Sequence, residues 1–312
     1  MQTTHTEIKE IVAAVMAEIA ETGIDVPDEE IRKAVRPELQ TLRDEIRKLA
    51  KPARVTVQIP QGTEIVNRNL GVQHAKFADL LRLASVRGAN GHRLNVWLAG
   101  PAGTGKTTAA ENVAKALGLK FYFNGAIDSE HKLLGFTDAR GKIVSRPFRE
   151  AYENGGVYLF DEVDGSLPAA LLAFNAALAN GHCDFPDGSA KRHPDCIIIA
   201  AANTYGGGAT PEYVGRMKQD AAMLDRFVFL DWPVDESLET AIAETLGQSA
   251  WAKDVQRWRS NAAKHGLRVV ISPRATYHGA AMLAAGIDRA ATIAACVAKG
   301  LPKEHADKLG LN

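Results

Sequence analysis

Hydrophobic positions follow two different rhythms along this chain. Between residues 72 and 233 the runs LNVWLA, KFYFN, GGVYLFDE, CIIIAAAN and FVFLDW are short and continuously apolar. Their length and their β-branched and aromatic content predict buried strands. Between them HAKFADLLRLASV, TTAAENVAKAL and LPAALLAFNAAL carry the three-to-four spacing of amphipathic helices. Strands that alternate with helices, without two-residue turns joining neighbours, predict a parallel α/β sheet. Phe227 to Leu230 is read as one of its buried strands. After Pro233 the rhythm becomes wholly helical, through ESLETAIAETL, WAKDVQRWRSNAAKH, RATYHGAAMLAAG and DRAATIAACVAKG.

The N-terminal stretch has its own pattern. Thr4-His5-Thr6-Glu7 reads as a capping box, and Ile8, Ile11, Val12, Val15, Met16 and Ile19 then share one helical face. A second helix is expected from Pro37, with a stripe of Leu39, Leu42, Ile46 and Leu49. Such an arm either packs on its own body or docks a neighbour. LAKPAR, residues 49 to 54, reads as a linker. Val55, Val57 and Ile59 alternate as a strand does before IPQG turns. The expected division is an N-terminal helical arm and linker over 1–54, an α/β domain over 55–233 and a small all-helical domain over 234–312.

Bulk composition narrows the function only slightly. Lys plus Arg equals Asp plus Glu at 37 each, so no global basic field calls for nucleic acid. Cys183, Cys196 and Cys296 form no CxxC pair, which fits a reducing compartment. MQTTHTEIKE has no basic start or apolar core of a signal peptide, and no apolar run approaches membrane-spanning length. A cytoplasmic protein without a membrane partner is expected. His182, Cys183, His193 and Cys196 invite a zinc reading, but adjacent residues of a strand face opposite ways, which spoils convergence.

Chemistry concentrates in one motif. LNVWLAGPAGTGKTTAA carries Gly100, four residues, then Gly105-Lys106-Thr107, after a strand and before a helix. Glycines there let backbone N–H groups curl around phosphate oxygens, and the helix start adds partial positive charge. Gly100, Pro101, Ala102, Gly103, Thr104, Gly105, Lys106, Thr107 and Thr108 are therefore the candidate nucleotide-binding residues. Lys106 would reach the β and γ phosphates of ATP, and Thr107 would hold Mg²⁺. VYLFDE ends a second strand in two acids. Asp161 is placed for Mg²⁺, Glu162 to polarise an attacking water. Asn203, closing CIIIAAAN, is a neutral group able to hold the same water.

With these parts in order the chain resembles the AAA+ ATPases, most closely the branch of MoxR-type ATPases, metal-chelatase ATPase subunits and similar phage-encoded proteins. The resemblance runs from about residue 72 to the end. It is carried by GPAGTGKTT, LFDE, AAANT, the arginine of LDRF and that of ISPRA. It implies a five-stranded parallel sheet between helices followed by a helical lid. It also implies a ring, commonly hexameric, that hydrolyses ATP and remodels a protein partner. Arg274 would sense the γ-phosphate from the lid. Arg226 would reach a neighbouring subunit's γ-phosphate as a finger, with Arg216 as its rival. Asn124, closing KFYFN, matches a polar residue that restrains the glutamate in some members.

Two glycine-centred hairpins are expected as insertions, around Arg140-Gly141 in residues 133–148 and Asp187-Gly188 in residues 182–195. The resemblance would place residues 137–142 and 185–189 on a pore-lining face; plain surface hairpins are the alternative. Lys142, Arg146, Arg149, Lys191 and Arg192 near them lend some support to a nucleic-acid motor instead. A non-catalytic scaffold that binds nucleotide to set its assembly is the third reading, and Glu162 weighs against it.

Overall fold

The computed structural model describes residues 54–61 and 64–311. The two arm helices and nearly all of the expected linker lie outside the described residues.

Five strands form a wholly parallel sheet: β1 (Val96–Ala99), β2 (Phe121–Asn124), β3 (Gly156–Phe160), β4 (Cys196–Ala202) and β5 (Val228–Asp231). Their spatial order is β5-β1-β4-β3-β2. Each central strand is buried along its whole length, as its unbroken apolar run requires. Successive residues point to opposite faces. Trp97, Tyr158, Phe160 and Ile198 thus face one layer of helices. That layer includes α3 (Pro147–Asn154) and α4 (Leu172–Asn180), which bring Phe148, Tyr152 and Phe174. Val96, Leu98, Leu159 and Ile199 face the other layer, against Phe77 and Leu80 of α1 (Phe77–Ser85) and Val113 of α2 (Lys106–Leu117).

One strand departs from expectation. Phe227 is buried, but Val228 and Phe229 are each 38% exposed. β5 is an edge strand with a single neighbour, so its apolar side chains are covered from one side only. Phe229 is sheltered in part by Trp97 and Tyr205, at ring-centroid distances of 5.5 and 6.2 Å.

Three antiparallel pairs decorate the sheet. The alternating run before IPQG is a strand, Arg54–Gln61, and it pairs with Glu64–Val72. That second strand, EIVNRNLGV, is too polar to have stood out in the sequence. Both expected insertion hairpins are present: Phe136–Thr137 with Ile143–Val144, and His182–Phe185 with Gly188–Lys191. In the first, the Asp138 carboxylate accepts from the N–H groups of Arg140 and Lys142 at 2.8 Å each, closing the turn.

Beyond β5 the described chain is helical: α5 (Glu236–Glu244), α6 (Ser249–Lys264), α7 (Pro273–Ala284), α8 (Arg289–Ile293), which continues as a π-turn, and α9 (Lys303–Leu309). Trp251, Val255 and Trp258 of α6 form a separate core with Ile271, Ala280 and Leu309. Within it the Arg259 guanidinium meets both carboxylate oxygens of fully buried Glu239, at 2.8 and 2.7 Å.

Candidate active site

Strand β1 stops at Ala99 and α2 begins at Lys106, so residues 100–105 form a loop at the carboxyl end of the sheet. Gly103 and Gly105 have φ of 78° and 82°, a region costly for residues with a Cβ. A Cβ on Gly105 would meet nothing within 4 Å. One on Gly103 would come within 3.1 Å of Ser272 Oγ and Arg274 Cγ, so the helical region closes directly over this loop. Gly100 serves another purpose. A Cβ there would lie 1.9 Å from the Trp232 carbonyl oxygen. Its glycine is demanded by the segment after β5 packing behind the loop, not by a ligand.

Lys106 is only 7% exposed. Its ammonium donates to the carbonyls of Gly100 at 2.6 Å and Pro101 at 2.9 Å, and to Asn203 Oδ1 at 3.2 Å. Burial pulls its pKa down to about 8; Arg216 and Arg274 push the same way, while Asp161 and Asp164 oppose. The lysine is therefore a desolvated cation held by neutral oxygens, which suits an incoming polyanion. Thr107 Oγ1 donates to Asp161 Oδ2 at 2.7 Å. This contact joins the glycine loop to the acidic end of β3. Thr108 is exposed on the first turn of α2. Thr104 stays behind the loop, its hydroxyl on the Pro101 carbonyl at 2.9 Å. The Ala102 N–H donates to the Tyr213 hydroxyl at 3.0 Å.

Glu162 adopts a left-handed conformation, φ 52°, and its side chain is 58% exposed. A non-glycine residue held there at the end of a strand is a mark of a constrained site. Arg216 Nη2 stands 3.6 Å from Glu162 Oε1, and Arg216 Nη1 stands 3.3 Å from Asp164 Oδ1. Asp164 is fully buried. Its Oδ2 accepts from Asn203 N at 3.1 Å, Thr204 N at 3.0 Å and Thr204 Oγ1 at 2.9 Å. Sequence reasoning passed over Asp164, because a third acid after LFDE carries no signal of its own until the fold buries it.

Asn203 lies beside Lys106, which its Oδ1 meets, while its backbone is fixed by Asp164. Asn124 ends the neighbouring strand, yet its amide donates to the Lys132 carbonyl at 3.2 Å and makes no hydrogen bond to Glu162. Arg274 occupies the first turn of α7 and lies over Gly103. Arg226 follows the one-turn helix Ala221–Leu224. Its Nη1 donates to the Ala222 carbonyl, and its carbonyl accepts from Asn95 Nδ2 at 3.0 Å. Its Nε is buried without a hydrogen-bond partner, and no carboxylate among the described residues pairs with it. Arg226 forms no ion pair with Asp225 or Asp231; Asp231 accepts from the Tyr205 hydroxyl at 2.8 Å.

Two other cation readings weaken on inspection of their partners. Arg149 pairs with Glu153 at 2.9 Å and Asp187 at 2.7 Å. Arg192 is 3% exposed and donates to the carbonyls of Arg93 and Cys196. Neither is available to a phosphate backbone. Among the described residues no three His, Cys, Asp or Glu side chains converge on a metal position, and Cys183 is buried while His182 is exposed. No helix among them is long and apolar enough to cross a membrane.

One family match covers most residues of this site. Residues 96–222 match the family described as "ATPase family associated with various cellular activities (AAA)". That match spans the glycine loop, the acidic strand end, Asn203 and Arg216. A comparison with curated proteins finds no match. Similar solved structures include NtrX from Brucella abortus in complex with ADP, at 15% identity and a TM-score of 0.48, over 91% of this chain and 62% of that one. NtrX from the same organism in complex with ATP gives 17% identity and a TM-score of 0.46, over 91% and 67%. A closed state of Hsp104 with ATPγS and FITC casein gives 18% identity and a TM-score of 0.38, over 51% of this chain and 32% of that one. In two of the NtrX structures this chain spans only 58% and 62% of the neighbour's length.

Proposed function

We propose that this protein is a Mg²⁺-dependent ATPase that assembles as a homo-oligomeric ring, a hexamer, and uses hydrolysis to remodel a protein partner, in the manner of MoxR-type chaperones. The observation that carries the hydrolytic reading is the Thr107–Asp161 hydrogen bond. It brings the phosphate loop and the acid pair to one point, with Lys106 behind and Glu162 beside. The open space before Gly105 and the desolvated Lys106 fit a triphosphate. Thr107 and Asp161 would hold Mg²⁺, which would supply positive charge against the charge that develops during hydrolysis.

The residues divide the work. Amides of residues 103–108 and the Lys106 ammonium bind and orient the phosphates. Glu162 holds the attacking water and takes its proton. Asn203, fixed between Asp164 and Lys106, sits within reach of the same region, and Arg274 meets the γ-phosphate from α7. In this reading residues 55–233 are the nucleotide-binding domain, 234–312 its lid and 1–54 an arm. The hairpin tips at 137–142 and 185–189 face the axis of the ring. Arg226 serves a neighbour's site in trans; its lack of an acid partner among the described residues and its place beside edge strand β5 support that role.

Hydrolysis measured with and without Mg²⁺ tests the core of this. Glu162→Gln should bind ATP normally and turn over hardly at all; near wild-type turnover would reject the assignment. The same variant, holding ATP, should retain the partner in a pull-down. Arg226→Ala and Lys106→Ala subunits, each inactive alone, should regain activity when mixed in co-assembled rings. If such rings stay inactive, Arg226 does not act in trans.

A further inference from the structure

The segment between Asn203 and the one-turn helix at Ala221 reaches both halves of the site. Tyr213 accepts from the Ala102 N–H of the phosphate loop at 3.0 Å. Three residues later Arg216 lies between two carboxylates, 3.6 Å from Glu162 Oε1 and 3.3 Å from Asp164 Oδ1. The segment is tied down at this point, because the Met217 N–H donates to the Asp164 carbonyl at 2.7 Å. The Arg216 side chain is 14% exposed, against 58% for Glu162. Gly165 leaves room for it: a Cβ there would stand 2.8 Å from Arg216 Nη1.

The two acids differ in what else they hold. Asp164 Oδ2 is saturated by three donors from Asn203 and Thr204. Its Oδ1 makes no hydrogen bond, and the Arg216 cation is what faces it. Glu162 is exposed and left-handed, and Arg216 is the cation beside its carboxylate. Asp164 thus fixes the guanidinium, and the guanidinium limits where the Glu162 carboxylate can swing. Arginine suits this task because its planar fork can face two carboxylates at once, which a point charge cannot do.

We propose that Arg216 is the positioning residue for Glu162, acting within its own subunit and not as a finger to the next one, with buried Asp164 as its anchor and Tyr213 keeping the segment in register with the phosphate loop. The proposal rests on the reading of Glu162 as the water-activating group. Nucleotide binding does not need the contact, since Arg216 makes none with the phosphate loop itself. Turnover does, because a carboxylate displaced by about 1 Å from the water it must deprotonate can cost about 10²-fold in rate.

The test uses the full chain and magnesium ATP. Arg216→Ala should lower kcat by about 10²-fold while ATP affinity, measured at a temperature where the variant is folded, stays near wild type. Its melting temperature should fall because buried Asp164 loses its cation, and Arg216→Lys should recover part of the rate. An unchanged kcat in Arg216→Ala, while Glu162→Gln abolishes turnover, would overturn the proposal and leave the ATPase reading standing. Unchanged turnover in Glu162→Gln would instead strike the ATPase reading. In single-turnover hydrolysis, adding Arg216→Ala to Glu162→Gln should produce no further loss; a full additional loss would mean Arg216 acts independently of Glu162. Mixed assemblies of Arg216→Ala with Lys106→Ala, shown by native mass spectrometry to contain both, should stay inactive. Recovered activity there would show that Arg216 works across subunits, and would overturn the proposal.

Discussion

Lys106 and Thr107 follow directly on the glycines that shape their loop, whereas Glu162, Asp164 and Arg216 meet from distant parts of the chain. The first group is local. A strand, a glycine turn and a helix start suffice to point its amides, ammonium and hydroxyl one way. The second is tertiary: it exists only because β4 lies beside β3 in the sheet and the segment after Asn203 folds back across the ends of both. Local assembly yields a binding site that a short stretch of sequence specifies. Tertiary assembly yields the restraint on a catalytic group, and it depends on a buried charge that is costly unless satisfied.

The sharpest way to test that contrast is to break each group separately. Lys106→Ala should weaken ATP binding by about 10²-fold or more, because a desolvated charge facing phosphate is lost, while the fold survives. Unchanged affinity in a fluorescent-nucleotide titration would contradict the local half. Asp164→Ala should do the reverse and strike stability first. It strands the N–H groups of Asn203 and Thr204 and a poorly exposed Arg216, so about 3–5 kcal/mol is expected, read as a large drop in melting temperature. A melting temperature within a degree or so of wild type would mean the cluster is not the keystone described.

Glycine substitutions sharpen the comparison at lower cost. Gly105→Ala should cost about 1–2 kcal/mol of backbone strain and impair nucleotide binding, since nothing crowds its Cβ. Gly100→Ala should destabilise the fold itself, because its Cβ would collide with the Trp232 carbonyl. Calorimetric unfolding distinguishes them.

The smallest effect is protonic. The Lys106 pKa, lowered from 10.5 to about 8 by burial, means this proton is about half lost near pH 8 in the free protein. The unfolded chain keeps it to about 10.5, so the desolvation cost is fully present below pH 8. It fades as pH rises towards 10.5, which makes this group's contribution to stability increase with pH across that window. Phosphate binding opposes the shift and returns the proton. ATP binding at pH 8 should therefore take up about half a proton and weaken as pH rises further. Titration calorimetry in buffers of different ionisation enthalpy measures this directly; no uptake at pH 8 would mean Lys106 is fully charged in the free protein.

Much of the α/β region was legible because its strands are continuous apolar runs, and a strand buried on both faces needs no partner to be recognised. FVFLDW misled in its burial for the same reason: its composition is that of a central strand, but its position is the edge. The strand Glu64–Val72 escaped notice because EIVNRNLGV has neither a continuous apolar run nor a clean alternation; it pairs with Arg54–Gln61. Arg149 and Arg192 looked like candidates for a phosphate backbone until Asp187, Glu153 and two carbonyls were found to occupy them.

By itself the sequence determined the phosphate loop, the acidic strand end and the alternation that builds the sheet, since each depends on neighbours a few residues away. Tertiary structure alone decided that Gly100 serves packing, that Asp164 is a buried anchor, that Arg216 faces its own chain's Glu162 and that Arg226 lacks an acid partner among the described residues. The physical reason is that a charge's role is set by what lies within a few ångströms of it, and for these residues those atoms come from segments the chain brings together only on folding.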